Sequence, residues 1–163
     1  GSRGLSFDAW LFHPQISELT ELARAFPDTT IVLDHFGGPL DIGPYTGGRD
    51  AIYPQWQRDI KSLAACENVH AKLGGILMPI NGFRGLSAPL SAQEIVAATG
   101  RYYQHTINCF GVQRCMFESN FPVDKSSCTY AELWNAFKLM ARNFTAREQD
   151  DLFHDVAARV YRL

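Results

Sequence analysis

Residues 116–124 read MFESNFPVD, which sets Glu118, Ser119 and Asn120 directly behind two large apolar side chains and ends on Asp124. On a strand, residues two apart face the same way, so Glu118 and Asn120 share a direction. A carboxyl carried into a low-dielectric pocket has its pKa raised toward the range useful for proton transfer, unless a cation opposes it. Asn120 cannot serve as a base, and its neutral amide is no hard anionic metal ligand. Glu118 has an equally good structural role, an ion pair with Arg114 or Lys72. Asp124 is either a second carboxyl of a site or a cap for the helix opening near Ser126 to Thr129.

Two histidines extend the set. His35 stands where the apolar run TIVLD meets FGG, and His13 stands just before Pro14. An imidazole titrates near neutral pH and is also a common metal ligand. The ordinary alternatives are a satisfied core or surface histidine at 35 and a hydrogen bond to the following turn at 13. Arg49, in GGRD, offers a planar fork suited to a substrate carboxylate. Lys72, in NVHAKLGG, suits an oxyanion or a carboxylate pair. The paired glycines of FGGP and KLGG match neither GxGxxG nor a Walker spacing, which argues against nucleotide binding.

The elements that must position these groups are legible as alternating runs. LSFDAWLFH (5–13), TIVLDH (30–35), NVHAKLGG (68–75) and residues 114–117 read as buried strands. Helical spacing covers 16–26 and 53–66. Ser91 with Glu94, and Thr145 with Glu148, form capping boxes for helices over 91–109 and 145–162, with a further helix over 129–142. Alternation of continuous apolar strands with helices predicts a parallel α/β sheet, and such sheets carry sites at the C-terminal ends of their strands. His13, His35, Lys72 and Glu118 to Asp124 all fall at those ends.

The chain has 163 residues, 46% hydrophobic and 20% charged, with a net charge of −2, which predicts one globular domain over 1–163. No basic run favours nucleic acid, and no apolar run approaches a membrane span. Cys66, Cys109, Cys115 and Cys128 lack the close pairing of zinc ligands, so they read as free thiols of a reducing, cytoplasmic setting.

LDHFGGP, NVHAKLGG, MFESNFPVD and the ending HDVAARVYRL together resemble the amidohydrolase-related (amidohydrolase 2 type), metal-dependent-hydrolase-like TIM barrels, the group of dicarboxylate and sugar lactonases. The resemblance implies a (β/α)8 barrel, of which this chain holds the last four β/α units. The family's strand-six histidine falls on His35, and a strand-five histidine of its metal-binding members falls on His13. Its strand-eight aspartate falls on Asn120, a departure. Its first-strand His-x-His has no counterpart here and would lie upstream of Gly1.

The implied activity is hydrolysis: water attacks a lactone or similar small carboxylated ester. His35 would polarise the carbonyl or hold a metal, and Glu118 or Asp124 would supply the base that Asn120 cannot. Arg49 and Lys72 would bind substrate. A zinc ion at His13 and His35 would be held weakly or not at all. The other reading is a non-catalytic barrel fragment that works by association. Four strands leave two open edges and a bare inner face. The expected partner is therefore an N-terminal half-barrel or a second copy, and the isolated chain is expected to be inactive.

Overall fold

The computed structural model describes residues 4–163. Its strands are β1 (Phe7–Ala9), β2 (Ile31–Leu33), β3 (Val69–Leu73) and β4 (Cys115–Phe117). Between and after them run α1 (Ile16–Ala25), α2 (Arg49–Ala64), α3 (Ala92–Phe110), α4 (Tyr130–Ala141), α5 (Ala146–Asp150) and α6 (Val156–Tyr161). The strands form one parallel sheet in the order β1-β2-β3-β4. Parallel neighbours require crossover connections, and α1, α2 and α3 supply them.

Alternation along the strands divides the sheet into two faces. Ile31, Leu33, Val69, Ala71, Leu73, Cys115 and Phe117 face a core shared with Ile16 and Leu19 of α1 and with Trp56 and Ile60 of α2. Register puts Asp8 beside Val32, Val32 beside His70, and Lys72 beside Met116 on the opposite face. Both capping boxes form: Ser91 with Glu94 opens α3, and Thr145 with Glu148 opens α5.

The structure corrects the expectation for the first strand. Only Phe7–Ala9 pairs, while Leu5, Phe7 and Trp10 are 69%, 49% and 55% exposed. Among the described residues β1 has a neighbour on one side only, and the chain leaves through a tight turn over His13–Gln15. The other edge is shielded. All three residues of β4 are buried, and Phe153 packs 4.9 Å from Phe117.

The bare inner face is the second correction. The last helical run, widened into a π turn over Asp151–Asp155, carries α6 onto that face. There Val156 and Val160 bury Val32 and Met116. Tyr161 donates to Asp8 Oδ2 at 2.6 Å, and Lys72 Nζ sits 5.3 Å above its ring. The chain thus covers part of its own inner face with its C-terminal helix.

Candidate active site

Beyond β2 the backbone makes a left-handed turn, with φ of 53° at His35, 59° at Phe36, 64° at Gly37 and 46° at Gly38. A residue with a Cβ adopts this conformation at a cost of roughly 1–2 kcal/mol, so His35 and Phe36 need support. Trp56 provides it by donating from its buried Nε1 to the Phe36 carbonyl at 2.8 Å. The Phe36 ring also meets Tyr103 edge-on, with centroids 4.7 Å apart. The turn redirects His35 toward β4.

There His35 Nδ1 lies 2.5 Å from Glu118 Oε1, with the side chains 14% and 22% exposed. Both atoms are buried, and neither makes a hydrogen bond of normal geometry among the described residues, so the contact is a close ion pair. Gly74 and Gly75 make the approach possible. A Cβ on Gly75, whose φ is +69°, would overlap the His35 imidazole, and one on Gly74 would run into the Glu118 carbonyl and Cγ. The glycine pair of KLGG is therefore a gap that admits the His35 ring on one side and Glu118 on the other. Burial alone would lower the imidazole pKa. The adjoining Glu118 carboxylate, helped by Asp34 and Asp124, outweighs this, and the net shift is upward.

Asn120 also has a left-handed backbone, φ 50°, and its Nδ2 donates to Asp124 Oδ1 at 2.9 Å. Asp124 is fully buried. Burial pushes its pKa up to about 6, against the lowering effects of the Asn120 amide and the His35 charge. It does not cap the helix that follows. Thr129 does, by accepting from the Glu132 N–H. The Phe121–Pro122 peptide between them is cis.

His35, Glu118, Asn120 and Asp124 therefore gather at one sheet edge. The ion pairs considered for Glu118 do not form. Arg114 donates instead to the carbonyls of Ala64, Cys66, Val69 and Phe110. Lys72 binds Asp8 at 2.8 Å and Asp34 at 3.0 Å. Desolvation would lower the Lys72 pKa, but Asp8, Tyr161 and Asp34 hold it above the usual lysine range. Arg49, at the start of α2, lies with its guanidinium 4.8 Å from the Phe83 ring and Nη2 3.5 Å from the Ala98 carbonyl.

His13 is buried, accepts at Nδ1 from the Leu40 N–H at 3.2 Å and meets Tyr45 edge-on. Burial lowers its pKa and favours the neutral ring. The Gly38 backbone also hydrogen-bonds the ring, so His13 is tied into its own turn. Among the described residues no three His, Cys, Asp or Glu side chains converge as metal ligands. This donor set does not fit a zinc centre by itself.

Three contributors escaped sequence reasoning. Asp34 precedes His35, and burial raises its pKa against the pull of Lys72. Trp56 packs in the core of α2 and also carries the hydrogen bond that holds the left-handed turn. Tyr103 lies fully buried beneath the strand ends. Polar tips on otherwise apolar helix faces were the available signal for the last two.

Residues 1–163 match the family described as Amidohydrolase. Over 161 residues the chain is 40% identical to the uncharacterized protein y4mH of Sinorhizobium fredii, covering 99% of this chain and 48% of that one. It is 27% identical over 158 residues to an L-fucono-1,5-lactonase of Burkholderia multivorans, covering 96% of this chain and 51% of the relative. A crystal structure of a Burkholderia multivorans amidohydrolase with bound zinc superposes with a TM-score of 0.82 at 26% identity, over 97% of this chain and 52% of that one. The chain spans about half the length of the curated relatives it matches. Its four β/α units are of the parallel barrel type. With the family matched from end to end, the chain belongs to the amidohydrolases.

Proposed function

We propose that this chain carries the C-terminal catalytic edge of a lactone hydrolase, with a His35–Glu118 pair as its proton-transfer centre. The observation that carries the reading is the 2.5 Å contact between His35 Nδ1 and Glu118 Oε1 at a strand end. A buried carboxylate on one imidazole nitrogen fixes the tautomer and ring orientation and leaves Nε2 to work on substrate. His35 Nε2 takes a proton from the attacking water, and Glu118 stabilises the imidazolium that forms. The Asn120–Asp124 pair borders the same site and presents the amide from a fixed backbone. This assigns the base to His35, with Glu118 as its orienting partner.

The substrate class proposed is a small sugar-acid lactone, a reading supported by relatives named as L-fucono-1,5-lactonases. Arg49 and Lys72 would contact substrate, and Lys72 would have to leave Asp8 or Asp34 to serve. A metal centre would need ligands from beyond these residues. The bare β1 edge, with Phe7 and Trp10 exposed, is where an N-terminal half-barrel or a second copy would add its strand. Four free thiols suit a cytoplasmic setting. Hydrolysis of a panel of sugar-acid lactones by the protein with its barrel complete tests the reading. General-base catalysis is worth roughly 10²–10⁴-fold, so His35→Ala should lose activity on that scale. Unchanged kcat/KM in that variant would remove His35 from the mechanism.

A further inference from the structure

Tyr103 of α3 is fully buried, and its hydroxyl has no hydrogen-bond partner among the described residues. Its ring lies between the two strand ends that carry the pair. One side meets Phe36, which follows His35, at 4.7 Å, and another faces Phe117, which precedes Glu118, at 6.2 Å. Phe137 of α4 closes the far side at 5.8 Å. A buried hydroxyl without a partner costs roughly 1–3 kcal/mol, so a tyrosine here, where phenylalanine would pack as well, calls for a reason. The neighbouring Asp124 shows the matching deficit. Its Oδ1 takes the Asn120 amide, while Oδ2 is buried and makes no hydrogen bond of normal geometry, although the Leu77 backbone N–H stands near the carboxyl.

We propose that Tyr103 is a positioning residue of this site, its hydroxyl donating to Asp124 Oδ2 through one internal water. Buried waters typically join polar groups that would otherwise go unpaired. The chain Tyr103–water–Asp124–Asn120 then fixes the amide of Asn120 from beneath, in place of a direct contact between α3 and the substrate. Tyr103 responds in kind: burial raises its pKa first, and the Asp124 and Glu118 charges raise it further. The other groups facing Asp124 are His35, Glu118 and Cys128, whose Sγ contacts the Asp124 carbonyl. The inference rests on Asp124 belonging to the site but needs no turnover for its test, so its failure and that of the hydrolase reading are separable.

The test is a carbon-13 NMR titration of the Asp124 carboxyl in the 163-residue chain and in Tyr103→Phe. A donor to the ionised carboxylate favours ionisation, so its loss should move the Asp124 midpoint upward from about 6, by roughly one pH unit. A Tyr103 that only fills the core leaves the midpoint where it was, because phenylalanine keeps the ring, and that result overturns the proposal. If the variant does not fold, the unmodified chain decides. Its Tyr103 Cζ resonance should track the Asp124 midpoint, and a Cζ signal that stays flat through that pH range refutes the contact.

Discussion

Replacing Gly75 by alanine should separate His35 from Glu118, at a cost with a backbone part and a side-chain part. The φ of +69° at Gly75 imposes about 1–2 kcal/mol on any residue with a Cβ. The new methyl would also occupy the volume of the imidazole, so the ring must rotate away from Glu118. Losing a hydrogen-bond-range contact to a charged group adds about 1 kcal/mol, the low end for such contacts since both side chains keep some solvent. The sum is about 2–3 kcal/mol, or roughly 5–10 °C in Tm for a chain of this length. Gly43→Ala is the control, because its φ is +57° with nothing within 4 Å of the added Cβ, so it carries the backbone cost alone.

The difference between the two variants in urea or thermal unfolding isolates the pair. Its pH dependence has a definite sign. The His35 pKa is raised in the folded state, so the pair's stabilisation is present below the unfolded value of about 6.5 and fades as pH rises through the folded one. The excess loss in Gly75→Ala should therefore appear near pH 6 and shrink in alkaline solution. Equal losses for Gly75→Ala and Gly43→Ala at pH 6 would refute the account of the glycine pair.

Asp124→Asn should stabilise the chain by about 1–3 kcal/mol at pH 8, where burying the ionised carboxylate is unfavourable, and the gain should vanish below about pH 4; urea unfolding at both pH values checks it. Asn120→Asp would set a second carboxylate against Asp124, 2.9 Å from the present amide, and should tighten zinc binding in a calorimetric titration. Tight and equal binding by the unmodified chain would contradict the weakening role given to Asn120. Ending the chain at Asp155 removes α6 and uncovers Val32 and Met116, so sedimentation at micromolar concentration should show self-association beyond that of the intact chain.

The strand and helix order was readable because each element has a clear period and the caps are local. Ser91 and Thr145 specify their helix starts within four residues. The first strand was overread because LSFDAWLFH is apolar enough for burial, and composition does not reveal that an edge has no neighbour. The placement of α6 depends on contacts between Tyr161 and Asp8, which no local pattern signals. At the site, the strand ends named His35, Glu118, Asn120 and Asp124. The partner of Glu118 was missed because a left-handed turn at a non-glycine residue re-aims His35 in a way that strand alternation does not predict. Tyr103 and Trp56 sit on helices, and no local pattern shows which strand end their polar tips reach.

The pH dependence of kcat/KM for lactone hydrolysis, measured on the complete barrel with and without Glu118→Gln, decides whether the His35–Glu118 pair carries the reaction. The acid limb should report the loss of His35 base function. Removing the carboxylate that raises the imidazole pKa should move that limb to lower pH while reducing the maximal rate. A limb that stays in place in Glu118→Gln, at an undiminished rate, would show that the His35–Glu118 pair does not carry the reaction.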